Sequence, residues 1–256
     1  MQPSRAFFER FPEYRANDLY ISSESYGGHY MPTLAKEIVD QNKIAASTGN
    51  KVLNFKGFAV GNPYTDPYSG TPAQIDTYWG HQLIAAPLYK EFTRTCRSKT
   101  EAPNKAVCAA LAVKMLNGVG DLNPYALDYP VCTTESKAKA GRAQRLWQLQ
   151  HQLAAYGIDP KLVGVKLQGE YEPCAENYAS TYLNQASVKA ALHVKKEIKW
   201  SECSNKLNYN STDMTEVSTA PIYNYLIDGG FGLNILVFSG DDDGVCGTIG
   251  TQVRRS

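Results

Sequence analysis

Between Asp18 and Val39 the chain runs from a short apolar stretch, Asp18-Leu19-Tyr20-Ile21-Ser22, through Ser23-Glu24-Ser25-Tyr26-Gly27-Gly28 into a segment of helical periodicity. This order constrains the fold more than any other feature of the sequence. A strand that becomes a helix within a few residues needs small side chains flanking the corner, because bulky ones collide where the two backbones diverge. The periodicity after the corner is clear: Tyr30, Leu34 and Ile38 recur every four residues with Met31, Ala35 and Val39 beside them, the apolar stripe of a helix laid on a core. A short helix is predicted over residues 5–11. Two further strands are predicted. One, Leu53 to Val60, runs into the loop Gly61-Asn62-Pro63-Tyr64-Thr65-Asp66; the other, Asn234 to Ser239, breaks at Gly240-Asp241-Asp242-Asp243. Strands separated by helical segments predict an α/β architecture with a mainly parallel sheet, whose ligand site lies at the carboxyl ends of the strands.

Residues from about 87 to 172 have a different texture, richer in Lys, Ala and Gln, with a helix-like run from Lys137 to Tyr156. This stretch reads as an insertion, a helical cap on a single domain, since inserts of this length commonly form lids or binding elements. The net charge of +1 from 26 basic and 25 acidic residues leaves no basic excess for a general nucleic-acid binder or a polybasic membrane anchor. With 43% hydrophobic and 20% charged residues, the composition is that of a globular protein with a packed core. The longest apolar runs, such as Ile235-Leu236-Val237-Phe238, fall far short of the ~20 residues that span a membrane.

Three residue types at the loops carry chemical interest. Ser25 sits on the strand-to-helix corner, where a hydroxyl projects clear of the backbone and the amide of Tyr26, at a helix N-terminus, points at a developing oxyanion. The competing reading is a serine that caps the helix. Asp243, in the loop after a late strand, stands where such a nucleophile finds the carboxylate that orients its imidazole. A solvated turn, or three acids around a hard cation, is the alternative. The four histidines, His29, His81, His151 and His193, all precede Asp243, so the expected third member does not follow it in the chain. His29, one helical turn after Ser25, is placed on a rigid helix that keeps it from the serine oxygen, and His193 reads as a packed or capping residue. Six cysteines are spaced too widely for a zinc site of the C-x2-C kind, which favours disulfides. Asn210-Ser211-Thr212 is a glycosylation acceptor pattern that points to the same oxidising compartment. The charged N-terminus lacks the apolar run of a signal peptide, so the secretory chemistry suggests a missing beginning.

Ser23-Glu24-Ser25-Tyr26-Gly27-Gly28-His29-Tyr30-Met31-Pro32 closely resembles the active-site signature of the serine carboxypeptidases, usually Gly-Glu-Ser-Tyr-Ala-Gly-x-Tyr-Val/Ile-Pro. Further segments are similar to that family in the same order: Gly57 to Asn62 with Thr65-Asp66; Tyr78 to Ile84, like its W-x-H-G-L-I; Pro173-Cys174, Tyr182-Leu183-Asn184, Val188 and Ala191-Leu192-His193; and Ser239 to Asp243, like its S-G-D-x-D. The resemblance runs nearly end to end, with the cap least alike. It implies an α/β-hydrolase fold, with mostly parallel sheet flanked by helices, incomplete at both ends. The family's Asn-Gly-Gly-Pro-Gly segment would precede Met1, and its catalytic histidine would follow Ser256.

The resemblance also implies a reaction and its residues. Ser25 attacks the last peptide carbonyl, a histidine takes its proton, Asp243 holds that imidazole, and the Tyr26 amide stabilises the oxyanion; an acyl-enzyme forms and water releases it. Glu24 binds the terminal carboxylate of a peptide or protein substrate through a shared proton, which implies an acidic optimum. Neither a metal nor an organic cofactor is called for. Cys96 with Cys108 and Cys132 with Cys174 are the implied disulfides, Cys203 is expected to be unpaired, and Cys246 resembles a free thiol near the site in some members. A small buried residue is the plainer account of Cys246. The implied location is the secretory pathway, extracellular or vacuolar/lysosomal. Two other functions stay open: a carboxypeptidase-like acyltransferase, which keeps the acyl-enzyme and changes the acceptor, and a non-catalytic remnant or binding module.

Overall fold

The computed structural model of the chain describes residues 2–97, 104–120, 122–128, 178–201 and 217–252. The described residues fall into two compact units, one comprising 1–81 with 212–256 and the other 82–211. The first unit is built on a three-stranded sheet with β1 (Leu19–Glu24), β2 (Phe55–Gly61) and β3 (Asn234–Phe238) in the order β1-β2-β3. Both pairings are parallel, as the alternation of strands and helices predicted, with Glu24 opposite Gly61 and Gly61 opposite Phe238 at the carboxyl ends. Around it run α1 (Gln2–Arg10), α2 (Gly27–Ser47), α3 (Pro67–Gly80), α8 (Ala220–Asp228) and α9 (Thr248–Gln252).

The core forms where the stripe of α2 meets one sheet face. Ala35, Val39, Phe58, Val60, Tyr223 and Leu226 are buried together, with Ile21, Met31 and Ile235 packed against them. Ile38 joins Phe8 and Leu53 in a second cluster that seats α1. Full burial of a side chain such as Phe58 or Ile38 contributes about 1.5–3 kcal/mol relative to exposure. Tyr30 departs from the predicted stripe. It is exposed, and its ring meets Tyr26 edge-on at 5.1 Å.

Pro32, inside α2, has no amide to offer the carbonyl of Gly28 one turn back. That carbonyl is satisfied from α8 and its approach, by the hydroxyls of Thr219 at 3.1 Å and Tyr223 at 3.4 Å. The Thr219 hydroxyl shares its single proton with the carbonyl of Thr65 at 2.9 Å, which also accepts from the Thr219 amide at 2.9 Å. The start of α2, the loop after β2 and the start of α8 are thereby tied at one point. Asp66 caps α3 before Pro67, its carboxylate accepting from the amide and hydroxyl of Ser69 at 2.9 and 2.7 Å.

In the second unit, α4 (Ala86–Cys96) and α5 (Lys105–Val119) are joined by the disulfide Cys96–Cys108, with Cα atoms 5.6 Å apart. Asn104 caps α5 by accepting from the amides of Ala106 and Val107. Two short helices, α6 (Tyr178–Leu183) and α7 (Ala186–Ala191), follow. His193 is not packed, as one reading of the sequence had it. It is exposed at φ 55° just past α7, where its amide bonds the carbonyl of Ala190 and that of Val194 bonds Lys189, so it ends the helix in the left-handed conformation. The helix expected over 137–156, His151, Cys132, Cys174, Cys203 and Asn210 lie outside the described residues.

Candidate active site

Ser25 occupies the corner between β1 and α2 with φ 56°, a left-handed conformation rarely adopted by a residue with a side chain. Such strain costs on the order of 1–3 kcal/mol and persists only where surrounding structure over-determines it. The over-determination is visible. The amide of Ser25 donates to the carbonyl of Gly61 at 3.0 Å, and its own carbonyl accepts from the amides of Tyr64 at 2.9 Å and Gly28 at 3.1 Å. Close packing requires the glycines beyond it. A Cβ on Gly27 would stand 2.5 Å from the Cβ and Oγ of Ser23, and one on Gly28 would run into the carbonyl of Tyr64.

The hydroxyl does not cap α2. The N-cap residue is Tyr26, without a side-chain cap, and Ser25 Oγ faces Cys246 Sγ at 3.9 Å. Tyr26 opens α2, so its amide stands at the positive end of the helix dipole. Glu24 ends β1 one residue before the corner, with an exposed side chain.

Asp243 reaches the same region from the loop after β3. Its Oδ1 accepts from the amides of Val245 at 2.7 Å and Cys246 at 3.1 Å, and the Asn62 side chain hydrogen-bonds it as well. Burial raises its pKa, the three hydrogen bonds oppose that rise, and the charge of Asp242 adds to it. Cys246, buried, with its Sγ facing Ser25 Oγ and its amide on Asp243 Oδ1, has its thiol pushed up to about 12, first by burial and then by the charge of Asp243. It is therefore a neutral thiol at any physiological pH. The structure thus brings Ser25, Cys246 and Asp243 together from opposite ends of the sequence.

The histidines of this unit are engaged elsewhere. His29, buried on α2, donates through Nδ1 to the carbonyl of Tyr64 at 2.8 Å, with Nε2 3.3 Å from the carbonyl of Val217, and its ring stacks on Tyr26 at 4.5 Å. His81 donates through Nε2 to the carbonyl of Asp241 at 2.9 Å. Two holders of the acid loop had no chemical role in the reading of the sequence: Asn62, whose side-chain amide bonds both backbone groups of Gly240, and Thr248, whose hydroxyl donates to the Gly240 carbonyl at 2.8 Å. The available signal for Asn62 was its place in the Gly-Asn pair that ends β2; Thr248 had none.

The pattern described as serine carboxypeptidase matches residues 4–254. The chain belongs to the serine carboxypeptidase family. Among similar members of that family, Serine carboxypeptidase-like 25 of Arabidopsis thaliana is 33% identical, covering 96% of this chain and 50% of its own length. Serine carboxypeptidase 24 of the same plant is 32% identical over 98% of this chain and 51% of itself, and Serine carboxypeptidase-like 26 of Oryza sativa subsp. japonica is 31% identical over 93% and 48%. The chain spans about half the length of the curated relatives it matches. Kex1(delta)p, described as a prohormone-processing carboxypeptidase from Saccharomyces cerevisiae, superposes with a TM-score of 0.63 at 20% identity, over 97% of this chain and 49% of that one. At that identity the likeness establishes the fold, an α/β hydrolase, whose parallel sheet flanked by helices is the one seen in the first unit. Within the serine carboxypeptidase signature, Ser23 and Gly27 stand where the usual residues are Gly and Ala.

Proposed function

We propose that this serine carboxypeptidase chain carries the nucleophile, the orienting acid and the carboxylate-binding residue of a serine-type carboxypeptidase that removes C-terminal residues from peptides or proteins. The observation that carries the reading is the left-handed backbone of Ser25, held by bonds to Gly61, Tyr64 and Gly28 with its hydroxyl directed at the acid loop and not at its own helix. Ser25 Oγ attacks the carbonyl carbon of the last peptide bond, and its proton passes to an imidazole seated between Ser25 and Asp243. The carbonyl oxygen, now negative, faces the Tyr26 amide. The same imidazole returns the proton to the departing amine, and water then repeats the sequence on the acyl-enzyme. Glu24, adjacent to the corner, takes the substrate's terminal carboxylate. The segment at about 87–172 is the inserted cap, and a secretory compartment is the setting. Among the described residues, no helix is long and apolar enough to cross a membrane.

Both ring nitrogens of His29 face backbone carbonyls, and His81 is turned to the Asp241 carbonyl through Nε2, so neither is the base of this reading. The 256-residue chain by itself is therefore expected to react slowly with a fluorophosphonate, and free imidazole is expected to accelerate the reaction. Peptide mass mapping should place the adduct on Ser25, and Ser25→Ala should abolish it. An adduct elsewhere, or none with imidazole present, removes Ser25 as the nucleophile. Rapid release of C-terminal residues from blocked dipeptides at acidic pH by the chain alone would show instead that a base is already in place.

A further inference from the structure

The last backbone rung between β2 and β3 is the amide of Asn62 donating to the carbonyl of Phe238 at 2.8 Å. Beyond it the parallel ladder cannot continue, because Asn62 turns to φ 39° and its carbonyl swings out of register. The side chain takes over the pairing. Its Oδ1 accepts from the amide of Gly240 at 3.1 Å, and its Nδ2 donates to the carbonyl of the same residue at 3.1 Å. A side-chain amide has the donor and acceptor of a peptide group, and asparagine is among the few residues with a side chain that tolerate the left-handed region. One residue type therefore meets both demands of this position.

We propose that Asn62 is a positioning residue for Asp243, using its side-chain amide to hold the acid loop in register with the Ser25 corner. The amide carries two N–H groups on Nδ2. One is used on Gly240, and the other is left for the Asp243 carboxylate, which can only accept and whose charged form the Asn62 side chain favours. The residues flanking Asn62 grip the nucleophile corner, Gly61 through its carbonyl to the Ser25 amide and Tyr64 through its amide to the Ser25 carbonyl. A single short loop thus mounts both ends of the constellation, and a displacement of one is carried to the other. Two further ties on the loop, Thr248 to Gly240 and His81 to Asp241, hold its backbone and not the carboxylate. Asn62 thus both bonds the loop backbone at Gly240 and favours the charged Asp243 carboxylate. The charge that acts on Asp243 is that of Asp242 beside it; Cys246 offers its backbone amide, and its neutral thiol feels the charges of Asp243 and Glu24.

This inference rests on the carboxypeptidase reading for the purpose of Asp243, but its test does not depend on catalysis. Carbon-detected NMR of the full 256-residue chain follows the Asp243 carboxyl, assigned by its disappearance in Asp243→Asn, together with hydrogen exchange of the Gly240 amide. In Asn62→Gly, which suits the left-handed backbone, the Asp243 midpoint should move upward because a donor to the charged form is gone. Exchange at Gly240 should accelerate about three- to tenfold, the equivalent of one lost hydrogen bond. Thr248→Val removes a bond to the same carbonyl without touching the carboxylate, so the midpoint should stay where it is. An unmoved midpoint in Asn62→Gly overturns the proposal, as does an equal shift in Thr248→Val, which would reduce Asn62 to a structural tie. Should Asn62→Gly fail to fold, the isosteric Asn62→Asp replaces it. There Oδ1 should keep the Gly240 amide protected while the Asp243 midpoint rises, and a fixed midpoint again overturns the proposal. Absence of a Ser25 adduct in the wild-type chain would count against the carboxypeptidase reading alone, because neither NMR readout involves Ser25.

Discussion

The corner at Ser25 shows how two substitutions relative to a family pattern form one structural unit. The serine carboxypeptidase signature usually has Gly before and Ala after the nucleophile, each at two residues' distance; this chain has Ser23 and Gly27. The two positions touch, since a Cβ on Gly27 would stand 2.5 Å from Ser23 Cβ and Oγ, so the space for one small side chain has been kept and its owner exchanged. Gly27→Ala alone is expected to destabilise the protein by about 1–3 kcal/mol through overpacking, which exceeds the gain of up to ~1 kcal/mol that alanine brings to a helix. Ser23→Gly together with Gly27→Ala should recover most of the loss, with a coupling of about 0.5–3 kcal/mol in a double-mutant cycle read by urea unfolding. Additive effects would show that the corner tolerates both side chains by relaxing elsewhere. Gln82 is a related case: it holds φ 62° where the family pattern has Gly, so this chain carries left-handed strain that the usual residue avoids.

Elements were legible to the extent that their signals are local. The three strands lie within two residues of the predicted bounds, and the stripe of α2 holds from Met31 onward, because alternation and helical periodicity reflect which face meets the core. Tyr30 escaped that logic because helical spacing alone does not say where along the helix the stripe begins to be buried; its ring lies exposed against Tyr26. The same limit applies to the junction of α2 with α8. Pro32 announces that the Gly28 carbonyl lacks its helical partner, but no pattern in the sequence says that Thr219 and Tyr223 will supply one. Thr219→Val, equal in shape and without the hydroxyl, removes that bond and the one to the Thr65 carbonyl at a buried point. A loss of about 1–3 kcal/mol is expected in chemical denaturation, the cost of leaving a buried acceptor unsatisfied. A change near zero would mean that water or Tyr223 alone suffices.

For the molecule as a whole, bringing Asp243 beside the corner opposes stability, and pH reveals it. Burial places its folded-state pKa above the unfolded value, so the native state disfavours the charged form. The group's contribution is fully retained below the unfolded carboxylate range and is lost as pH rises through the raised native midpoint. Asp243→Asn keeps an oxygen for the Val245 and Cys246 amides while removing the charge. It should melt at higher temperature than the wild type at neutral pH, and the gap should close as pH falls below the unfolded carboxylate range. A gap that stays constant with pH would show that the carboxylate is not penalised by its surroundings. The sequence by itself determined the α/β alternation, the sharp corner at Ser25 and the acidic loop after the last strand, because each depends on side-chain size, periodicity or backbone freedom among neighbours along the chain. That Cys246 faces the Ser25 hydroxyl, that the Asn62 side chain bonds both backbone groups of Gly240, and that His29 and His81 turn to backbone carbonyls were decided only by tertiary structure. Those contacts join residues as far apart as Ser25 and Cys246, 221 positions along the chain, and arise from the packing of whole elements, which leaves no periodic trace in the residues that make them.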